Sequence, residues 1–268
     1  SLAMALNHHG DPRLFFAGSS GIYAYRDGAG WHSAAAPPWY WNDFPTLAID
    51  SQDRPHLAVY GHHPRVTSRA LVYATTPNYL NSGYWLTQRV GTPNGTFRFV
   101  DADHGWATSS YLDDAIYRTS DGGATWDLIR LGYYDDRYHV VDMVFLNDQE
   151  GWATGTREFS DILPTGMFIA HTTDGGQTWS QQIGWGQSRR GKRIWFVDGQ
   201  NGWVDSSPYL WRTHDGGETW TCFEPTDMPN RVLHFIDSNT GFGLGNPYLS
   251  PHVLMRTDDG GSTWSAVG

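Results

Sequence analysis

The residues of this 268-residue chain best suited to chemistry are arginines and aromatics gathered in short segments. Trp39, Tyr40 and Trp41 follow a Pro-Pro pair, and Tyr134 and Arg137 stand among Tyr133, Tyr138 and His139. Trp185 precedes a basic run of Arg189, Arg190, Lys192 and Arg193, while Arg65 and Arg69 follow His62 and His63, and Arg157 stands beside Glu158. A planar guanidinium pairs bidentately with a carboxylate and stacks on rings, and Tyr and Trp offer broad faces to sugars or to protein. The set therefore suits a glycan, a carboxylate-bearing ligand or a protein surface. The plainer alternatives are that Trp39 and Trp41 cover a core and that the arginines are solvated loop residues.

Hydrolytic chemistry asks for more. A conventional glycosidase needs two opposed carboxylates. The chain has only four glutamates, Glu150, Glu158, Glu218 and Glu224. Glu158 and Glu224 remain available with Asp135, Asp136, Asp161 and Asp205, but no spacing pairs any of them. Cys222 is the single cysteine, so it makes no internal disulfide, and no histidine is signalled to activate it. His8-His9 and His62-His63 are adjacent pairs, a poor spacing for metal chelation. No glycine-rich phosphate loop opens a helix. No catalytic residue is assigned, and neither a cofactor nor a metal is expected.

A formal net charge of −10 argues against nucleic acid as a partner. No apolar run reaches the length of a membrane span. The opening SLAMALNHHG lacks a basic start and a long apolar core, so it does not read as a signal peptide. Aromatics make up 15% and charged residues only 17%, with 31 glycines, a balance that favours many short strands and tight turns over long helices.

Internal repeats organise those strands. Thr-x-Asp-Gly-Gly-x-Thr-Trp occurs four times, beginning at Thr119, Thr172, Thr213 and Thr257 and ending at Trp126, Trp179, Trp220 and Trp264. Ahead of each box runs an apolar strand, a polar turn and a Gly-aromatic step, as in FRFVDADHGWATSS and RIWFVDGQNGWVDS. Strands on either side of each box complete four per repeat, the pattern of a propeller blade. The N-terminal third lacks the box but keeps the rhythm and supplies two more units. The expectation is an all-β, six-bladed propeller in one domain over residues 1–268, with blades near 1–36, 45–90, 96–131, 139–184, 192–224 and 231–268. The boxes fall between strands three and four of the last four blades.

Each box residue has a structural role. Asp121, Asp174, Asp215 and Asp259 are set to accept turn amides, the leading threonines to bond the same backbone, and the paired glycines to take positive φ. Trp126, Trp179, Trp220 and Trp264 are expected to drop into the gap between strands or blades. One carboxylate per separate turn cannot converge on a metal ion.

These boxes resemble the BNR or Asp-box repeat of sialidases, sortilin-type receptors and the photosystem II assembly and stability factor family. Coupled to Gly105-Trp106-Ala107, Gly151-Trp152-Ala153, Gly202-Trp203 and Gly241-Phe242, they look most like the photosystem II stability factor-like group, over roughly residues 96 to 268. The resemblance implies the propeller fold and a secreted protein, extracellular or periplasmic, but fold alone does not fix function. A sialidase would need three arginines converging on its substrate, for which Arg65, Arg137 and Arg190 are available. The Arg-Ile-Pro type of motif expected on the first blade is replaced by Asp11-Pro12-Arg13-Leu14.

In a propeller the boxes lie on one face, and the links between blades, with the turns from strand two to strand three, lie on the other. The preferred reading is a non-enzymatic binding or assembly propeller that recognises a protein or glycan through that link face. Its expected ligand-binding residues are Trp39, Tyr40, Trp41, Arg65, Arg69, Tyr134, Arg137, Arg157, Trp185 and Arg190. The alternative is a secreted sialidase-like or other glycoside hydrolase using the same face.

Overall fold

Short apolar runs broken by Asp, Asn and Gly turns give this chain strands and no helix among the described residues. A computed structural model describes residues 2–7, 9–16, 21–35, 40–49, 53–62, 70–75, 86–90, 96–101, 103–108, 115–131, 137–158, 166–183, 190–229, 231–245 and 253–267. The chain divides into two compact units, Ser1–Tyr133 and Tyr134–Gly268.

The first unit holds three antiparallel four-stranded sheets. They are β1 (Leu2–Leu6), β2 (Pro12–Phe16), β3 (Ile22–Asp27) and β4 (Gly30–Ala35); β5 (Tyr40–Ile49), β6 (Pro55–His62), β7 (Ala70–Thr75) and β8 (Leu86–Val90); and β9 (Phe97–Phe99), β10 (Gly105–Thr108), β11 (Ala115–Thr119) and β12 (Asp127–Arg130). Phe15, Tyr23 and Tyr25 of the first sheet pack with Leu47, Leu57 and Ala74 of the second. His56 then stacks on Phe99 of the third, ring centroids 4.0 Å apart.

The second unit repeats the plan. Its sheets are β13 (Arg137–Phe145), β14 (Gly151–Glu158), β15 (Gly166–Thr172) and β16 (Ser180–Ile183); β17 (Arg193–Phe196), β18 (Gly202–Ser206), β19 (Tyr209–Thr213) and β20 (Thr221–Phe223); and β21 (Arg231–Phe235), β22 (Gly241–Leu244), β23 (Leu254–Thr257) and β24 (Ser265–Ala266). The first strands β13, β17 and β21 are neighbours, which leaves the fourth strands outermost. One core joins Trp152, Met167 and Ile169 to Ile194, Phe196, Val204 and Trp211. Another joins Trp203 and Leu210 to Leu233, Phe235 and Trp264.

The expectation of a six-bladed propeller is corrected here. The described sheets are four-stranded and antiparallel as expected, but only five of them carry four strands of three residues or more, so five full blades stand where six were expected. The last sheet is abbreviated, since β24 has two residues. Strand alternation and turn residues are local signals; how sheets gather into bodies depends on packing between first strands far apart in sequence, which no local pattern encodes. Three boundaries move as well. Tyr40 and Trp41 begin β5, Arg137 begins β13, and Arg157 ends its run inside β14, so these positions belong to strands and not to connecting loops.

Candidate functional site

The four box turns share one geometry. In each, the leading threonine hydroxyl donates to the aspartate Oδ1 at 2.7–2.8 Å and accepts the amide of the second glycine at 2.8–2.9 Å. The trailing threonine gives its amide to Oδ1 at 2.8–3.0 Å and its hydroxyl to Oδ2 at 2.5–2.7 Å. Both glycines of each box have positive φ, 67° and 87° at Gly122 and Gly123, which a side chain would oppose. The first glycine also donates to the turn between strands one and two of its own sheet, as Gly216 does to Gln200 at 3.0 Å.

These bonds to the ionised carboxylates lower their pKa values. Asp215 is held down to about 2 by the Thr219 hydroxyl, then by the Thr219 amide and the Thr213 hydroxyl. At Asp259 burial works upward, but bonds from Thr263 and Thr257 outweigh it and bring the group to about 2. Asp121 and Asp174 are lowered in the same way. Each carboxylate is therefore occupied with its own turn.

The deepest tryptophans are not those of the boxes. Trp106, Trp152 and Trp203, from the Gly-Trp steps, are fully buried. Trp152 lies flat on Phe196 of the next sheet, centroids 3.7 Å apart, and its indole N–H donates to the Gly216 carbonyl at 3.0 Å. Trp203 repeats this one sheet on, stacking on Phe235 at 4.0 Å and donating to Gly260 at 2.9 Å. The box tryptophans meet the same phenylalanines edge-on, Trp220 against Phe196 and Trp264 against Phe235. So the Gly-Trp step, and not the box tryptophan alone, ties neighbouring sheets together.

At the end of the second unit away from its boxes, the structure gathers cations. Tyr138 and Arg157 face each other in register across β13 and β14. The Arg157 guanidinium lies 4.9 Å from the Tyr138 ring centroid, and its Nη1 donates to Gln181 Oε1 at 3.2 Å. The Tyr138 hydroxyl donates to that same oxygen at 3.3 Å, and its ring is buried edge-on to Phe168. Arg157 is thus oriented, half-buried with its guanidinium held by the Tyr138 ring and Gln181.

The segment 190–193 runs beside it. Gly191 donates to the Gly155 carbonyl at 3.3 Å, and a Cβ on Gly191 would collide with the Thr154 hydroxyl, so only glycine lets the chain approach this closely. Lys192 donates its amide to Asp205 at 2.8 Å. Arg190, Lys192 and Arg193 are exposed and form no ion pair with a described residue. The acids nearby are already engaged. Asp142 is buried and accepts the Ile194 amide at 3.2 Å, while Asp205 accepts the Ser207 amide at 2.7 Å and the Ser207 hydroxyl.

Of the ten expected ligand-binding residues, Arg157 and Arg190 fall at this end. Arg137 opens β13 beside them, and Tyr40 and Trp41 pair with His62 and Gly61 in β5 and β6; for these three only backbone positions are described. Trp39, Arg65, Arg69, Tyr134 and Trp185 lie outside the described residues. Residues that the list of ten omitted are Gln181, which orients Arg157, and the cations Lys192 and Arg193. A cavity of about 320 Å³ lined by Ser207, Pro208, Glu224, Pro225, Met228 and Pro229 was likewise not foreseen. Its sequence signal is the spacing of Pro208, Pro225 and Pro229 around Glu224. Among the described residues no group of His, Cys, Asp and Glu is placed to hold a metal ion, and no helix is long and apolar enough to cross a membrane.

Sheets of four antiparallel strands, each set beside the next within its unit, describe an all-β propeller fold. Residues 79–192 match the family model described as photosynthesis system II assembly factor YCF48. The photosystem II assembly lipoprotein Ycf48 of Synechococcus sp. (strain CC9902) is 28% identical over 173 residues, covering 56% of this chain and 44% of that protein. The match thus spans less than half of that relative. Among solved structures, YCF48 bound to D1 peptide superposes with a TM-score of 0.62 at 15% identity, covering 99% of this chain and 79% of that one. An ulvan lyase of polysaccharide lyase family PL25 superposes with a TM-score of 0.60 at 11% identity, covering 98% of this chain and 81% of that one. At such identities the structural likeness shows the β-propeller fold alone. The sequence likeness is to the photosystem II assembly factors, the group that the boxes and their Gly-Trp steps resemble.

Proposed function

We propose that this chain is a non-enzymatic assembly module that grips a segment of a partner protein with the end of its sheets opposite the boxes. The observation that carries the reading is the run Arg190, Lys192 and Arg193, exposed and without ion pairs among the described residues, beside the oriented guanidinium of Arg157 on an acidic chain. Such a cluster favours a segment rich in carboxylates or ending in one. Two likenesses support it: the similar Synechococcus protein is an assembly lipoprotein, and the similar YCF48 was solved with a D1 peptide. The lipoprotein name also supports a place on the periplasmic or luminal side of a membrane. A glycan-cleaving role has the weaker support, because the likeness to a lyase is one of fold at 11% identity.

Calorimetry with the D1 peptide tests the reading. Binding is expected, weakening as salt rises, with a loss of about tenfold or more when Arg190, Lys192 and Arg193 are all changed to glutamate. No binding, or equal binding by the triple variant, would overturn it.

A further inference from the structure

The turn Ser206–Tyr209, which joins β18 to β19, faces the segment 224–229, which leads from β20 toward β21. Between them lies the cavity of about 320 Å³. Its walls are mostly aliphatic, three prolines and the Met228 thioether, and they are fixed in place. Met228 packs into the core of Leu233, Phe235 and Trp264. Pro229 lies against Gly243, where a Cβ would come within 2.6 Å of the proline ring. Thr226 donates its amide to Ser262 at 3.2 Å. On the opposite wall Ser207 is held by Asp205. Proline side chains lose no rotamer freedom on contact, so these walls offer apolar area at little entropic cost.

One charge interrupts the apolar lining. Glu224 is exposed and makes neither a hydrogen bond nor an ion pair with a described residue. A neutral apolar guest would strip water from that carboxylate without replacing it, and an acidic guest would be repelled. A side chain with a long aliphatic stem and a cationic head meets both demands.

We propose that this cavity seats a lysine or arginine side chain of the partner segment, its methylenes on Pro208, Pro225, Met228 and Pro229 and its cation against Glu224. The Ser207 hydroxyl, which donates to Asp205, keeps its lone pairs for an N–H of the guest. The proposal rests on the reading of this end as the binding face and adds a second demand on the partner. Arg193 stands in register with Asp205, which in turn holds Ser207. A segment that places an acid near Arg193 is thus carried toward the cavity with its next residues, so an acidic residue followed closely by a basic one is the pattern favoured.

The test uses the whole chain with ¹³C-methyl-labelled methionine, the Met228 signal being assigned from Met228→Leu. Nα-acetyl-lysine methylamide, its norleucine counterpart and its glutamate counterpart are titrated over the millimolar range. The lysine compound should shift the Met228 methyl saturably and bind about fivefold tighter than norleucine, the worth of an exposed ion pair. Glu224→Gln should bring lysine to the norleucine level while leaving the amide spectrum that of a folded protein. Equal binding of lysine and norleucine, no shift with lysine, or no effect of Glu224→Gln would each overturn the proposal. A lysine shift in a protein that fails to bind the D1 peptide would sink the assembly reading alone. Peptide binding without a lysine shift would sink the cavity alone.

Discussion

The indole nitrogen of Trp152 donates to the carbonyl oxygen of Gly216 at 3.0 Å, joining the second strand of one sheet to the box turn of the next. The same bond recurs from Trp203 to Gly260 at 2.9 Å. In each case the indole lies flat on the phenylalanine that the next sheet's own box tryptophan meets edge-on. Stability in a repeat protein is largely a sum of such neighbour interfaces. Trp152→Phe keeps an aromatic face but removes the donor, leaving the Gly216 carbonyl with one partner fewer. A loss of about 1–3 kcal/mol in unfolding free energy is expected, read from the urea midpoint. An unchanged midpoint would mean that the bond contributes nothing to the interface.

The glycine that opens each Gly-aromatic step lies against the phenylalanine of its own sheet's first strand, so Gly202 abuts the Phe196 ring on which Trp152 stacks. A Cβ built on Gly202 falls 2.5 Å from the Phe196 ring, and one on Gly105 falls 2.5 Å from Phe99. Gly202→Ala must push the ring off the stacked indole of Trp152, so it should cost about 1–3 kcal/mol. Adding Phe196→Leu, which shortens the obstructing side chain, should make the double variant less destabilised than the two single losses added together. Simple additivity would show that the ring is not what excludes a side chain here.

The box carboxylates carry a pH dependence of known sign. Asp215 and Asp259 titrate near 2 in the folded chain, and Asp121 and Asp174 are lowered as well. An unfolded aspartate titrates at about 3.9. A depressed carboxylate pKa stabilises the fold fully above the unfolded value and loses that contribution as pH falls through the folded one. Thermal midpoints should therefore drop between about pH 4 and about pH 2, and Asp259→Asn should flatten part of that drop while lowering the midpoint at neutral pH. A variant with the same acid profile as the parent would remove the box from the cause of acid lability.

Much of this architecture was legible because it repeats. Thr-x-Asp-Gly-Gly-x-Thr-Trp names its own turn, since each residue type is demanded by a bond or a dihedral inside eight residues, and the alternation around it marks the strands. What was not legible depends on distance in the chain. Nothing within Gly151-Trp152 says that its indole reaches Gly216, so the full burial of Trp106, Trp152 and Trp203 was not legible beside the packing expected of the box tryptophans. The division of six sheets into two units was hidden for the same reason. At the basic end, Arg157 and Arg190 stood out by type, whereas Gln181 was missed because its only distinction is the oxygen shared by Arg157 and Tyr138.

His171 offers a last consequence of the same stacking. Its ring lies 4.5 Å from Trp152, inclined by 11°, and its Nε2 stands 3.4 Å from Glu150 Oε1. Burial pushes its pKa below the ordinary histidine value, and Glu150 opposes that shift without cancelling it. The neutral ring is thus the form that suits the fold, and the stability it lends is present above about pH 6.5 and lost as pH falls through the depressed folded value. Glu150→Gln removes the opposing charge, so the folded pKa should fall further and stability should decline more steeply below about pH 6.5. The ring Cε1 proton followed by NMR reads the first effect, and urea midpoints taken on either side of that pH read the second. A pKa that rises in the variant would show that Glu150 acts here by something other than its charge.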